Sequence, residues 1–573
     1  MDFKFLVFVL LLSNSVAAFY KSTNRSLKDV NGGTDCAACT IIVSLIDQLS
    51  LVYSESIDQA MQRLCGYLPD QYNTVCKEFI YVAGPIIVDL LANGESPDAV
   101  CHALTFCTTD PPNPPCKLYP QPRGGLEAGI KRSKLRAMKY TSNLRELLVN
   151  SDICNMLPGL KQICEMIEGK LNNHEPVLDI DKDGFSIIDS LRGSSWRGKD
   201  CDDSRAAVHP GARPVDWDRY EDSNCNGIYG VDPVSGKPYE QLFCGDSKPM
   251  GVGLLGDSAG AHFHIPAEWV TPTVMGLDMF ANITFVAGNE LDWPSMSGTT
   301  GYQNLTWPTV HGWTDSAYLR LRQRNLCNHR DYQNIAVNGG DSGNTNDNAK
   351  SLSRNQTSDY PMILFYSLIG NDVCNGHPDT IEHMTTPEVM KANVIDTLAY
   401  LDTVLPAGSA LIMTGLADGR VLWKYMNSRY HPLGELRGDV TYADLYAYLM
   451  CLQVSPCNGW MSSNETLRNF TSERAAALSK VLQDLASTRT YKNYKIHYMD
   501  FALHTVIDEW VAQGGKPWDL IEPVDGFHPS QISQALTAAY TWTHLMQNFP
   551  EVLGKENPHN EQIRQLFGDQ GGH

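Results

Sequence analysis

The chain has 573 residues, 43% of them hydrophobic and 19% charged, with a formal net charge of −20. That length exceeds one ordinary domain, and that composition belongs to chains that bury large cores, so a disordered or fibrous protein is excluded. A chain this acidic also lacks the broad basic surface that nucleic-acid phosphates require.

The first residues, MDFKFLVFVLLLSNSVAAFY, carry one lysine, an apolar run and then small residues. That is the pattern of a secretory signal peptide over 1–18, with 19–33 as a propeptide. No second unbroken apolar stretch is long enough to span a bilayer, so the mature chain is expected to have no transmembrane segment. Sixteen cysteines and six Asn-X-Ser/Thr sequons, at Asn24, Asn282, Asn304, Asn355, Asn464 and Asn469, agree with an oxidising, secretory route. The expected destination is outside the cell or a lysosomal vesicle.

Residues 34–115 hold Cys36, Cys39, Cys65, Cys76, Cys101 and Cys107 among apolar residues in helical rhythm. Ile42, Leu45, Ile46 and Leu49, for example, share one face. Six cysteines leave the pairing open. Their spacing resembles the saposin B-type family, which implies the pairs Cys36–Cys107, Cys39–Cys101 and Cys65–Cys76 around a helical, lipid-handling fold. Residues 116–150 read as an exposed linker: prolines and glycines interrupt regular structure, and a basic cluster runs from Lys131 to Lys139. Proteolysis there would leave two fragments, and Cys116 is placed to tie the front module to the rear of the chain.

Residues 151–245 read as linker helices and then acidic loops. DIDKDGF sets Asp179, Asp181 and Asp183 before Gly184, the opening of a calcium loop, with the carbonyl of Phe185 at the seventh position. The twelfth position is Ser190 rather than glutamate, so the remaining ligands must come from elsewhere. Asp200, Asp202 and Asp203 follow, with the carbonyls of Arg205 and Val208 in reach. The rhythm then repeats at Asp222, Asn224, Asn226 and Gly227, with Ile228 at the carbonyl position and Asp218 and Glu240 completing the set. This oxygen-only set predicts Ca2+ rather than zinc, which favours histidine or thiolate.

From 246 to 550 apolar strand-like runs alternate with amphipathic helices, the pattern of a parallel sheet covered on both faces. The strand candidates are Val252–Leu255, Ile335–Val337, Met362–Ile369, Ala410–Met413 and Lys495–Met499; 551–573 reads as a C-terminal tail. Four polar blocks follow or flank these runs: Gly256-Asp257-Ser258, AVNGGDSGNT with Gly343, IGNDVC with Asn371, and Asp525-Gly-Phe-His528. In this order they resemble the GDSL or SGNH esterase family, with Ala259 where the family has leucine. The resemblance implies a flavodoxin-like α/β hydrolase with Ser258 as nucleophile, His528 as base and Asp525 orienting it. It also implies that Gly343, Asn371 and the Ser258 amide bind the oxyanion. His262 and His264 lie close enough behind Ser258 to be weighed as bases or substrate contacts, but their spacing suits a following turn or helix better than a triad; His311 and His377 read as loop residues.

Together the parts predict a multidomain protein: an all-α saposin-like domain, a calcium-binding loop region and a parallel-sheet hydrolase. That order resembles a family of lipopolysaccharide deacylases of animal phagocytes. The resemblance implies hydrolysis of secondary, acyloxyacyl-linked fatty acyl chains of lipid A. It also implies a small fragment disulfide-linked to a large one, and peripheral contact with lipid aggregates. Two other readings stay open: a phospholipase-type GDSL lipase and a non-catalytic lipid carrier.

Overall fold

A computed structural model describes residues 30–140, 174–304 and 309–573. The expected signal peptide, most of the propeptide, the Asn24 sequon and residues 141–173 of the linker lie outside the described residues.

The front module is built from α1 (Gly33–Val52), α2 (Ile57–Gly66), α3 (Asp70–Ala92) and α4 (Pro97–Ala103). Ser56 starts α2 by accepting the Gln59 N–H, while the Gln59 side chain accepts the Ser56 N–H in return. Ser96 caps α4 before a proline at its first position, where a missing N–H costs nothing. The disulfides are Cys36–Cys107, Cys39–Cys101 and Cys65–Cys76, the pairing that the saposin resemblance implies.

The linker differs in part from its sequence reading. Its basic stretch forms α5 (Leu126–Ala137), with Leu126, Ile130 and Ala137 buried. Arg132 pairs with Glu95 at 2.7 Å and Arg136 with Asp89 at 3.2 Å, so the cationic face lies on acidic residues of the module. Just before it, the buried Asp98 carboxylate accepts the N–H groups of Leu118 and Tyr119.

The rear of the chain is a five-stranded parallel sheet in the order β2-β1-β3-β4-β5. The strands are β1 (Gly251–Gly256), β2 (Tyr332–Asn334), β3 (Met362–Ser367), β4 (Ser409–Thr414) and β5 (Tyr494–Met499). The second strand lies earlier than the expected Ile335–Val337. Those residues still donate to β1, Ile335 N–H to Leu254 and Val337 N–H to Gly256, but the chain is already turning into a loop. Alternate residues face opposite sides. Leu364, Tyr366, Leu411 and Met413 enter the larger core with α7 (Pro387–Val404) and α9 (Glu465–Thr488). Ile363, Phe365, Ala410 and Ile412 enter a second core with Leu545 of α11 (Gln531–Asn548). The short α6 (Ser258–Ala261) follows β1, α8 (Tyr442–Cys451) precedes α9, and α10 (Leu503–Ala512) follows β5.

The acidic region is irregular and lies on the open edge of β2, where Arg197 bridges Gln333 and the Tyr332 carbonyl accepts the Gly198 N–H. An otherwise free sheet edge is thereby covered. The expected C-terminal tail is also folded in: α12 (Asn560–Phe567) is followed by a turn, and His573 stacks on Tyr302 with 4.6 Å between ring centroids.

The saposin-like module docks on the hydrolase through α8 and the segment before it. Tyr448 donates to Thr40 at 2.9 Å, Gln48 donates to the Leu433 carbonyl at 2.8 Å, and Arg437 pairs with Asp47. Leu49 and Ile46 of α1 share one core with Leu433 and Leu445. Cys116 bonds Cys451, at the end of α8. Among the described residues only α1 is long and apolar enough to cross a membrane, and it is built into this module.

Candidate active site

The strand order reverses direction between β1 and β3, and loops leaving the carboxyl ends of these two strands form the crevice where such sheets bind ligands. Asp257 ends β1 and caps α6, its carboxylate accepting the N–H groups of Ala259 and Ile369. Burial pushes its pKa up to about 6, against the pull of those amides. Ser258 opens α6, a position whose N–H has no intrahelical acceptor. The small residues after it are needed: a side chain on Gly260 would meet Leu254 at 2.8 Å.

Ser258 Oγ lies 2.8 Å from Nε2 of His528, and Nδ1 of His528 lies 2.5 Å from Oδ2 of Asp525. The second Asp525 oxygen accepts the Phe527 and His528 N–H groups, which locks the carboxylate in the turn that carries the histidine. Burial drives the Asp525 pKa up, but the imidazole opposite and these hydrogen bonds outweigh it and hold the carboxyl below its ordinary range. Phe263 and Phe527 pack on the His528 ring at 4.7 and 4.9 Å between centroids. Ser258 and His528 are 3% and 4% exposed, so the reacting pair sits in a dry site where electrostatic interactions are strong.

Neither neighbouring histidine competes as the base. His262 is buried, its Nδ1 faces the Trp293 carbonyl, and burial followed by the His264 charge pushes its pKa down to about 3. His264 is engaged at both ring nitrogens, by Glu522 and by the Thr309 carbonyl. His311 pairs with Glu268 at 2.6 Å, and His377 stacks on His383 at 3.7 Å.

Gly343 is exposed, and its N–H donates to Asp341 Oδ1 at 2.9 Å, because Asp341 closes a tight turn over 341–344. The glycine that meets the nucleophile turn is Gly340. A Cβ there would fall 3.1 Å from the Gly256 carbonyl and 3.7 Å from the Asp257 Cα. Asn371 donates to the Gly340 carbonyl at 3.0 Å and retains a second N–H. Behind both loops the buried Asp372 accepts from the Ser342 N–H and hydroxyl.

Two apolar cavities meet at this triad. The larger, about 250 Å³, is walled by Leu45, Met61 and Phe79 of the module and by Phe263, Trp269 and Leu291 of the hydrolase, and reaches Asp525 and His528. The smaller, about 60 Å³, starts at Ser258 and Asn371 and runs among Val421, Leu422, Trp460, Leu503 and Ile507.

Away from the triad, the acidic loops gather carboxylates as a cation site does. Asp181, Asp183 and Asp200 offer oxygens within 4.8 Å of one another, as do Asp179, Asp181 and Asp203. One oxygen each of Asp181, Asp183 and Asp200 is buried without a partner. Burial followed by the neighbouring carboxylates pushes Asp183 up to about 8, the environment of anions awaiting a counter-ion. In the second loop Asp218 has a buried unpartnered oxygen, and Asn224 and Asn226 donate to the buried Glu240. The Asp222 carboxylate accepts the Asn226 and Gly227 N–H groups. The amides of Phe185 and Ile228 close the two loops on Asp183 and Asn226. The Asp202 carboxylate accepts from Ser204 and Arg205. The Arg205 carbonyl accepts the Val208 N–H. An all-oxygen donor set with orphaned carboxylate oxygens fits calcium.

Of the residues named from sequence, the structure joins Ser258, His528, Asp525 and Asn371, while the Gly343 N–H is engaged by Asp341 in the neighbouring loop. Sequence reasoning missed Glu522, Asp372, Gly340 and Cys451. Only Gly340, inside a glycine pair, carries a local signal.

Residues 35–165 match the family model described as a saposin-like domain, and residues 252–540 the model of GDSL-like lipase/acylhydrolase. The chain is 47% identical over 573 residues to acyloxyacyl hydrolase of Mus musculus, covering 100% of this chain and 99% of that one. It is 48% identical over 566 residues to acyloxyacyl hydrolase of Homo sapiens, covering 98% of each. Over 74 residues the chain is 34% identical to saposin-C of Cavia porcellus, 13% of this chain and 91% of that one. An ester-hydrolysing site beside a lipid-handling module, matched at this identity along its whole length, places the chain in the acyloxyacyl hydrolase family.

Proposed function

We propose that this chain removes secondary, acyloxyacyl-linked fatty acyl chains from the lipid A of bacterial lipopolysaccharide. The observation that carries the reading is the meeting of two apolar cavities at one triad. An ester between two fatty acyl chains has an apolar arm on each side of the scissile bond, and the site offers an apolar wall on each side.

The lining of the two cavities supports one assignment of the arms. The smaller cavity contains Asn371 and Ser258, so the carbonyl of the departing acyl chain lies there. His528 lines both cavities and Asp525 only the larger, so the hydroxyl-bearing chain and the rest of the glycolipid lie beyond the base, against the module. Ser258 Oγ attacks the ester carbonyl while His528 Nε2 takes its proton. The tetrahedral oxyanion accepts hydrogen bonds from Asn371 Nδ2 and the Ser258 N–H, each worth about 3–4 kcal/mol in a preorganised site. Collapse breaks the carbon–oxygen bond, and His528 returns the proton to the leaving hydroxyl oxygen. Water then attacks the acyl-serine with the same base, releasing the fatty acid and restoring Ser258. Asp525 holds the tautomer and stabilises the imidazolium formed in each half.

Calcium is the proposed resident ion, held in one site by Asp179, Asp181, Asp183, Asp200 and Asp203 and in a second by Asp218, Asp222, Asn224, Asn226 and Glu240. The orphaned oxygens support this reading. Bound there it supplies charge neutralisation and fold stability; no reacting atom belongs to these loops. A secreted or vesicular location, glycans on the exposed Asn304, Asn355 and Asn464 and on Asn282 and Asn469, and a linker cut into two disulfide-joined fragments complete the proposal. Fatty-acid release from purified lipopolysaccharide tests the substrate: the native chain releases it and Ser258→Ala does not. Faster release from phosphatidylcholine micelles than from lipopolysaccharide would replace the reading with a phospholipase.

A further inference from the structure

His264 and Glu522 form a buried pair that the triad chemistry does not use. His264 is 6% exposed and Glu522 1%. Nδ1 of His264 lies 2.7 Å from Glu522 Oε2 and its Nε2 lies 3.1 Å from the Thr309 carbonyl. Both ring nitrogens therefore face acceptors, an arrangement that needs a proton on each. Burial alone would strip one of them; the Glu522 charge and hydrogen bond outweigh it and hold the His264 pKa above its ordinary value. The other charged groups near the pair are Glu268 and His262 on the His264 side, Asp525 and His528 on the Glu522 side, and His311, which faces both.

Each partner is anchored in a different half of the catalytic machinery. His264 follows the nucleophile helix, where its N–H donates to the Leu291 carbonyl and its carbonyl accepts from the Trp293 indole. Glu522 stands at the base of the loop that carries Asp525 and His528. Its N–H donates to the His528 carbonyl at 2.8 Å, its own carbonyl accepts the Gly526 N–H, and Ile521 bridges Pro529 beside it. The loop is thus closed on Glu522 at both ends, while the Glu522 side chain reaches across to the segment behind Ser258.

We propose that His264 and Glu522 are a positioning pair, which fixes the distance between the Ser258 turn and the 522–528 loop and so holds His528 Nε2 on Ser258 Oγ. The pair acts through His528 and touches no substrate. The inference rests on the triad reading. An active Ser258→Ala variant would remove that reading first, and the variants below are compared only with a native enzyme that Ser258→Ala silences.

Two substitutions separate reach from charge. Glu522→Asp keeps the charge and shortens the arm, whereas Glu522→Gln keeps the reach and gives up the charge, its carbonyl still accepting the His264 Nδ1–H. Hydrolysis of p-nitrophenyl butyrate, a soluble ester too short to use the cavities, is followed with full kcat and KM curves and with thermal midpoints. Displacement of a catalytic group by about 1 Å costs about 100-fold in rate. The expected result is a kcat loss of about 10- to 100-fold for Glu522→Asp, a loss under about fivefold for Glu522→Gln, and KM within about twofold for both. His264→Ala combined with Glu522→Asp falls no further than the worse single variant, because one strut is removed once. An Asp variant as fast as the Gln variant overturns the proposal, as does a KM that rises in step with the loss of kcat. If His264→Ala does not fold, the Asp and Gln pair alone decides.

Discussion

Leu503→Trp tests the assignment of the departing chain to the smaller cavity. Leu503 lines that cavity from the first turn of α10 and is only partly buried, so a larger ring enters the cavity without displacing the core behind it. Each methylene denied an apolar wall forfeits about 0.8 kcal/mol. Excluding about four methylenes removes about 3 kcal/mol, which is about 200-fold in kcat/KM for any acyl chain long enough to need them. The assay is a series of p-nitrophenyl esters from butyrate to myristate. In the native chain kcat/KM climbs with length and then levels; in the variant it levels about four carbons earlier, while the butyrate value stays within about threefold. A uniform drop at every length would show that the ring had disturbed the triad. An unchanged length profile would show that the departing chain lies elsewhere.

Asn371→Ala removes an oxyanion donor and should lower kcat by about 100- to 1000-fold with KM nearly constant; a loss carried by KM alone would refute the role. Chelation should lower the thermal midpoint by several degrees, since an ion at about 100 times its Kd contributes about 3 kcal/mol, and added calcium should restore it; elemental analysis finding no calcium would count against the site. Burial holds His102, His262 and His431 neutral, with pKa values pushed down to about 4, 3 and 4. Below pH 6.5 the unfolded chain binds protons that the fold refuses, so stability falls with falling pH, by about 1 kcal/mol per histidine at pH 5.5. Calorimetry from pH 7.5 to 5 checks this, and a flat midpoint would contradict it. Cys116→Ser should release a small fragment on a non-reducing gel once the linker is cut, whereas native protein separates only after reduction; a single reduced band from mature protein would remove the two-fragment proposal.

The triad and the strands were legible because their residues carry local marks. A serine between Gly-Asp and small residues, a glycine before Asn371 and a tight Asp-x-x-His turn each constrain a few neighbouring positions, and fully buried strands read as apolar runs. The helical module was legible through its cysteine spacing. Residues set by contacts across the fold were not. Glu522 meets His264 over 258 positions and Cys116 meets Cys451 over 335, and nothing beside either residue marks the partner. Gly340 was missed for a related reason: three glycines share one loop, and only the turn closed by Asp341 decides which backbone lies against Asp257. The basic stretch was read as a solvated linker, but its charges are neutralised by Glu95 and Asp89, which lie over thirty residues earlier.

Placing the module against the hydrolase also explains why one histidine can serve two apolar arms. A saposin-like bundle of this size exposes an apolar face unless something covers it, and a large exposed patch invites aggregation. Here the same apolar side chains wall a cavity whose far end is His528, so the surface that would bind lipid indiscriminately becomes the wall of a defined site. Holding that wall in register takes more than one apolar contact. Tyr448, Gln48 and Arg437 fix α1 by direction-dependent bonds, and Cys116–Cys451 closes a span of 335 residues. By chain entropy a crosslink of that span is worth about 5–6 kcal/mol in an uncut chain. In a chain cut within the linker its role changes: it keeps the module at high effective concentration over the cavity instead of limiting the unfolded state. The crosslink sits at the interface and not inside the bundle, which is where a chain cut in the linker would need it.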